Sequence, residues 1–439
     1  ASAAAHLHAA IPTEVSTLHR LLGARPDTRR LRYHRHHPLP LDVLVVDEAS
    51  MIDVSMMAAL LDALPPQARL VLLGDKDQLA SVEAGSVLGD LCARAEAGHY
   101  TPATADWLGA ATGQTLPNGL IDANGQPLDQ AIAMLRKSHR FTADSGVGRL
   151  AAAINFGDEH AADRHAALSE ILAAGYADLS HLRLKSDDRT RLARLAVGGH
   201  PEGFPGAAAH PAPEQVQPPV GYRHYLEVMR ERRPAADGDA TAYDSWAREV
   251  LAAHGRFQLL CALRRGPWGV EGLNDSVREA LEKDDLIDTA GGLRQWYAGR
   301  PVLVTGNDYG LGLMNGDIGI ALDPPHPEDD RRRLLRVAFP AGDGSDRIKW
   351  VLPSRLKAVE TVFAMTVHKS QGSEFDHTAL VLPDAPNPIL TRELIYTGIT
   401  RARHWLTLVE PGRGQLHDAA QRRVVRVSGL NATHRNPAQ

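Results

Sequence analysis

The chain has 439 residues, 44% hydrophobic and 23% charged, with a formal net charge of −5. This suits two or three globular domains with their own cores, and no apolar run approaches the roughly 20 residues of a membrane span. Two cysteines, Cys92 and Cys261, are too few for a disulfide framework or a four-ligand metal cluster. Both read as buried reduced thiols. The opening Ala1-Ser2-Ala-Ala-Ala-His6 has no signal-peptide character, so a cytosolic compartment is expected. The mildly acidic balance neither points to nucleic acid nor excludes it, because local phosphate contacts suffice.

In chain order, Leu41–Val46 is a mostly apolar run suited to a central strand buried on both faces. Val54–Leu64 places apolar residues at helical spacing and stops before Pro65-Pro66. Arg69–Leu73 is a second buried strand, turned by Gly74-Asp75. Strand, helix, strand implies a parallel sheet whose ligands gather beyond the carboxyl ends of the strands. Residues from about 95 to 130 carry weak periodicity, and Val147–Phe156 reads as helix. From roughly 178 to 240 the composition shifts to Arg, His, Pro and Gly, which predicts helices joined by a long loop or a partly disordered insert. Phe257–Leu263 is a buried strand opening a second α/β unit. Short strands follow at Pro301–Thr305, Ile318–Leu322, Leu334–Phe339 and Lys349–Leu352, with hairpin signals at Asn315-Gly316 and Asp343-Gly344. They predict a small β-barrel inserted in that unit. Val362–His368 and Thr378–Leu382 return to buried strands, and the last dozen residues read as a tail.

Four pieces carry chemistry. Val45-Val-Asp-Glu-Ala-Ser-Met51 has Walker B form: Asp47 suits Mg²⁺, held through water, and Glu48 suits polarisation of an attacking water. In Leu73-Gly-Asp-Lys-Asp-Gln78, Gln78 can bond a γ-phosphate and that water; the plainer reading is a surface turn residue. Thr366-Val-His-Lys-Ser-Gln-Gly-Ser-Glu-Phe375 supplies Thr366, His368 and Ser370, which either donate to DNA phosphates or make ordinary turn hydrogen bonds. Its Gly372 permits close approach or positive φ, and Glu374 can accept from a ribose hydroxyl. Tyr396-Thr-Gly-Ile-Thr-Arg-Ala-Arg403 reads as an Arg-bearing helix start, with Arg401 as a candidate arginine finger. Arg140, in Leu135-Arg-Lys-Ser-His-Arg-Phe141, is the other candidate, or else part of a plain basic helix end. His34-Arg-His-His37 lacks acidic or Cys company and reads as an exposed loop. Trp268, Trp296 and Tyr297 either stack bases or pack internally. No Gly-x-x-x-x-Gly-Lys-[Ser/Thr] loop occurs in these residues.

The order of these motifs is that of a superfamily-one helicase, and several stretches resemble the RecD family, the α subunit of bacterial exodeoxyribonuclease V (RecBCD). They include Asp42-Val-Leu-Val-Val-Asp-Glu-Ala-Ser-Met-Ile-Asp53, Leu73–Gly85, Leu259-Leu-Cys-Ala-Leu-Arg-Arg-Gly-Pro-Trp-Gly-Val270, Asn315–Leu322 and Met365–Asp376. The resemblance runs from about residue 15 to 428 and is weakest through 178–250. It implies two RecA-like P-loop NTPase motor domains of α/β class with an SH3-like β-barrel insert. It also implies ATP and Mg²⁺, movement 5′ to 3′ on single-stranded DNA, RecB and RecC as partners, and double-strand break repair in a bacterial cytoplasm. The expected divisions are 1–142, a first motor domain without its P-loop; 143–255, a helical linker and variable insert; 256–300 and 359–428, the second motor domain; 301–358, the barrel; and 429–439, the tail. Two departures stand out. Ala1-Ser2-Ala-Ala-Ala resembles a Gly-Lys-Ala-Ala-Ala stretch without its Lys, which leaves Ser2 expected on the DNA-binding side. Gly306 stands where close relatives tend to carry Arg. Without the P-loop, these residues alone are expected to hydrolyse ATP negligibly.

Overall fold

The computed structural model describes residues 15–25, 28, 30–80, 87–138, 140–142, 144–156, 161–185, 188–204, 216–235, 238–326, 329–342 and 344–424. The expectation for Ser2 lies outside them. The chain separates into two compact units, the first ending at Arg136 in its described part and the second running from Lys137 to Val424.

In the first unit, β1 (Val43–Val46) and β2 (Arg69–Leu72) pair in parallel, with Val43 opposite Arg69 and Val46 opposite Leu72. The unit also holds α1 (Leu18–Leu21), α2 (Val54–Ala63), α3 (Val87–Leu91) and α4 (Pro102–Thr112). Helix α2 starts where Asp53 accepts the Met56 N–H at 2.8 Å, a side-chain cap for an otherwise orphan donor. It packs Met57 and Leu60 onto Val46, Ile52, Val87 and Leu88. The strands are not buried on both faces as their apolar runs predict. Val43 and Val45 are each 56% exposed and only Val46 is buried, because α2 and α3 contribute their cores to one side. The weakly periodic region after residue 95 contains α4, capped by Thr101 and opened by Pro102, with no buried residue. Tyr100 Oη donates to Ile132 O, and His99 pairs with Asp122 at 2.8 Å, fastening this segment locally.

The second unit adds α5 (Gly146–Ile154), α6 (Ala161–Ala173), β3 (Leu179–Arg183), α7 (Arg189–Gly198), α8 (Tyr222–Glu231), α9 (Ala240–His254), β4 (Phe257–Cys261) and α10 (Val270–Lys283). Then come β5 (Pro301–Val304), β6 (Ile318–Leu322), β7 (Pro325–His326), β8 (Asp329–Arg333), β9 (Arg336–Pro340), β10 (Ile348–Val351) and β11 (Val359–Thr361). The unit closes with β12 (Ala364–Thr366), β13 (Phe375–Val381), α11 (Arg392–Ile399), β14 (Ala402–Glu410) and α12 (Gln415–Gln421). Its main sheet runs β12-β4-β13-β14-β3, every neighbour parallel. Strand β3 belongs to this sheet although it falls in the stretch read as helices and loop. Ser180 and His181 interrupt its apolar pattern, and it needs cover on fewer sides because it lies at the edge.

The inserted strands form a five-stranded antiparallel sheet, β10-β9-β6-β5-β11, where a small barrel is expected; no β10–β11 pairing closes it among the described residues. Its core is Val302, Val304, Leu313, Val337, Phe339 and Val351. Both units are thus α/β at their sheets, with parallel strands where the sequence places the motifs. Among the described residues no helix is long and apolar enough to cross a membrane.

Candidate functional site

Two groups of motif residues occur, one in each unit. In the first, the chain leaves β1 and β2 side by side. Leu73 N–H donates to Val46 O and Ala49 N–H to Leu73 O, both at 2.8 Å, so the two post-strand turns are stitched together. Asp47 and Glu48 follow β1, and Gly74, Asp75 and Gln78 follow β2. Asp47 Oδ1 accepts from Glu48 N–H at 2.8 Å. Glu48 takes φ 52°, a left-handed conformation that a non-glycine residue adopts at a cost of about 1–2 kcal/mol. Asp75 accepts from Asp77 N–H at 3.0 Å and from Gln78 Nε2 at 3.3 Å. A Cβ on Gly74 would lie 2.8 Å from Leu88 Cδ2 and 3.1 Å from the Ala49 and Ser50 nitrogens, so this turn needs glycine to pass beneath the Asp-Glu segment.

The donor set is all oxygen, from Asp47, Glu48 and Asp75, with one amide, Gln78. That is Mg²⁺ chemistry, since Mg²⁺ takes one or two protein carboxylates and completes its shell with water and phosphate. Among the described residues no group of three or more His, Cys, Asp or Glu is placed to cage a metal alone. A metal shared with a nucleotide fits these residues.

In the second unit, the strand-end turns after β4 and β12 and the approach to β14 carry the remaining motifs. Gly372 has φ +75° with open space around its Cα, so positive φ, not close approach, is what requires glycine. Glu374 pairs with Arg140 through one oxygen and with Arg403 Nε through the other at 3.1 Å. Arg140 Nη1 also donates to Thr400 O at 2.8 Å. Arg403 reaches Asp376 at 4.0 Å, and Arg256 meets Asp376 at 3.4 Å, so charges of alternating sign run along this edge.

Several of these residues have partners within the chain. Arg140, expected either as an arginine finger or in a plain basic helix end, holds Glu374 within the second unit. Arg401 does not start a helix: α11 ends at Ile399, and Arg401 precedes β14 at 4% exposure. Its Nε donates to Thr397 O and its Nη1 to Ser373 O, both at 3.1 Å. Ser370 is fully buried and its hydroxyl donates to Val367 O at 2.8 Å, so it braces the turn from inside and offers nothing to a phosphate. Thr366 Oγ1 accepts Lys369 N–H at 3.3 Å, capping the same 367–370 turn, while His368 is half-buried. Trp268 and Tyr297 are buried and Trp296 packs against the insert core, which favours packing over base stacking. Burial pushes the Cys261 thiol up to about 12 and raises that of Cys92, in keeping with inert reduced thiols.

Sequence reasoning passed over Arg264, Glu360, Lys369 and Arg403. Arg264, Lys369 and Arg403 sit inside stretches already singled out, but the Arg264–Glu360 and Arg403–Glu374 pairs span 96 and 29 positions and leave no local signal; only Lys369 and Glu360 lie near each other in the chain.

Comparison with known proteins defines the class. The AAA domain family matches residues 1–101, which include Asp47 to Gln78, and the UvrD-like helicase C-terminal domain family matches residues 361–409, which include Thr366 to Arg403. The chain is 38% identical to the RecBCD enzyme subunit RecD of Mycolicibacterium smegmatis over 416 residues, 94% of this chain and 58% of that protein. It is 37% identical to the RecBCD enzyme subunit RecD of Haemophilus influenzae, over 91% of this chain and 55% of that one. The ATP-dependent RecD2 DNA helicase of Deinococcus radiodurans matches at 27% over 88% of this chain and 39% of its own length. The chain is similar to RecD subunits along nearly all of its length. It spans a little over half the length of the RecD relatives it matches.

Proposed function

We propose that this chain is the motor part of an ATP-dependent DNA helicase subunit, moving 5′ to 3′ on single-stranded DNA. In this reading it works with RecB and RecC in a RecBCD-type helicase-nuclease, in double-strand break repair by homologous recombination, in a bacterial cytoplasm. The observation that carries the reading is the stitched pair of turns after β1 and β2. It brings Asp47-Glu48 beside Gly74-Asp75 in a chain whose sequence follows RecD throughout.

ATP with Mg²⁺ supplies a transferable phosphoryl group and charge neutralisation on its oxygens. Asp47 would hold the metal through water. Glu48 takes a proton from the attacking water, and Gln78 fixes that water's direction. Arg140 and Arg401 are the candidates to lend guanidinium charge to the phosphoryl oxygens; Arg140 would first have to leave Glu374, and Arg401 the Thr397 and Ser373 carbonyls. Glu374 and Gly372 meet the ribose side of the nucleotide, and Thr366 and His368 stand on the DNA side.

These 439 residues contain no Gly-x-x-x-x-Gly-Lys-[Ser/Thr] sequence, so by themselves they hydrolyse ATP negligibly. Steady-state phosphate release from the purified chain, with and without a dT oligonucleotide, is expected to stay at background. DNA-stimulated turnover would sink that part of the reading. A second reading is a DNA- or partner-binding paralogue that does not hydrolyse ATP. Retention of Asp47, Glu48, Gln78, Arg140 and Arg401 together favours the motor.

A further inference from the structure

Arg264 and Lys369 leave neighbouring turns of the second unit. Strands β4 and β12 are parallel neighbours with Cys261 opposite Thr366, so the segments that follow them open at the same sheet edge. Between the two cations stands Glu360, carried by β11 at the exit from the inserted sheet. Its Oε2 accepts from Arg264 Nη2 at 3.0 Å, and its Oε1 lies 3.4 Å from Lys369 Nζ. The carrier of each partner is fixed. Glu360 is in register with Leu303 of β5, and the Lys369 backbone is held by the Thr366 cap. Each side chain keeps solvent access: Arg264 is 63% exposed, Glu360 28% and Lys369 25%.

One carboxylate gathering an Arg and a Lys from two separate loops reproduces the demand of one phosphodiester: a single negative charge shared over two oxygens, met by a guanidinium fork and an ammonium. At such exposure an ion pair contributes little to stability, so the carboxylate is exchangeable. We propose that Arg264 and Lys369 form a binding site for one backbone phosphate of a single DNA strand, and that Glu360 is a built-in competitor occupying it whenever the strand is absent. The inference deepens the helicase reading and rests on it. A motor has to release each phosphate it grips, and a tethered carboxylate supplies the replacement partner at the moment of release.

The test is the affinity of the 439-residue chain for a fluorescent dT oligonucleotide across a series of chloride concentrations. Glu360→Gln keeps the shape and removes the charge, and is expected to tighten binding about 3- to 10-fold, the factor a weak ion pair can withhold. Arg264→Ala and Lys369→Ala are each expected to weaken binding and to lower the slope of log affinity against log salt by about one. Adding Lys369→Ala to Glu360→Gln is expected to cancel the gain; Lys369→Gln replaces it if the alanine variant loses its fold by urea titration. Unchanged or weaker binding by Glu360→Gln, with the parent still binding, overturns the inference and leaves the helicase reading standing. No binding by either protein overturns both. If inorganic phosphate at matched ionic strength erases the Glu360→Gln gain while chloride does not, the site takes free anions and the strand assignment falls.

Discussion

Gly372 and Gly74 are required for different physical reasons, and their substitutions should separate. Alanine at Gly372 meets no atom within 4 Å but has to hold φ +75°, so Gly372→Ala should lower the stability of the second unit by about 1–2 kcal/mol through backbone strain alone. Alanine at Gly74 keeps its backbone but strikes Leu88 and the Ala49-Ser50 backbone. Gly74→Ala should cost about 1–3 kcal/mol as overpacking and should also displace Asp47 and Glu48. Urea titration of both variants tests this, and equal stability with the parent would contradict it. Arg401 belongs to the same scale. Removing its buried guanidinium strands the Thr397 and Ser373 carbonyls, at about 1–3 kcal/mol for each group left unsatisfied. Loss of function in Arg401→Ala is therefore interpretable only beside a stability measurement.

At the scale of elements, α8 is fastened to the main sheet by one phenol. Tyr222 Oη donates to Phe363 O and accepts from Leu259 N–H at 3.3 Å, joining the helix to β4 and to the residue before β12. Tyr222→Phe should cost about 1–3 kcal/mol because two buried backbone groups lose a partner. Amide exchange at Leu259 should quicken, and unchanged protection there would refute the role. Such long-range ties mark what the sequence could and could not disclose. Helix α2 was legible because Asp53 caps it and Pro65 ends it; β1, β2 and β4 were legible as short apolar runs closed by Gly or charge. Strand β3 was hidden by Ser180 and His181, and Arg401 was misplaced because its motif extends beyond the end of α11. Asp47 and Gly74 could be paired from the strand–helix–strand order. The Arg140–Glu374 pair spans 234 positions and the Arg264–Glu360 pair 96, so only the folded chain reveals that these cations already have anionic partners. Ser370 shows the converse error, a motif hydroxyl spent inside its own turn.

Two buried histidines make the second unit sensitive to acid. Burial lowers His254 to about 4 and His377 to about 3. His377 sits between Val220 O at 3.2 Å and Thr407 Oγ1 at 2.9 Å, partners suited to a neutral ring. An unfolded chain binds their protons near pH 6.5, so their contribution is complete above that value and is lost as pH falls from 6.5 towards 4 and 3. At pH 5 each should cost the fold about 2 kcal/mol relative to pH 7. Urea midpoints at the two pH values check this, and a midpoint independent of pH would contradict it.

The central claim, that a RecD-type motor is assembled around Asp47, Glu48 and Gln78, is tested most directly by steady-state ATP hydrolysis of a fusion. In it, the 439 residues are preceded by a segment carrying a Gly-x-x-x-x-Gly-Lys-[Ser/Thr] loop, the element that the RecD resemblance implies. The account predicts turnover stimulated by single-stranded DNA and reduced at least about 100-fold by Glu48→Gln, the scale of a general base. No turnover in the fusion, or turnover indifferent to Glu48→Gln, would contradict it.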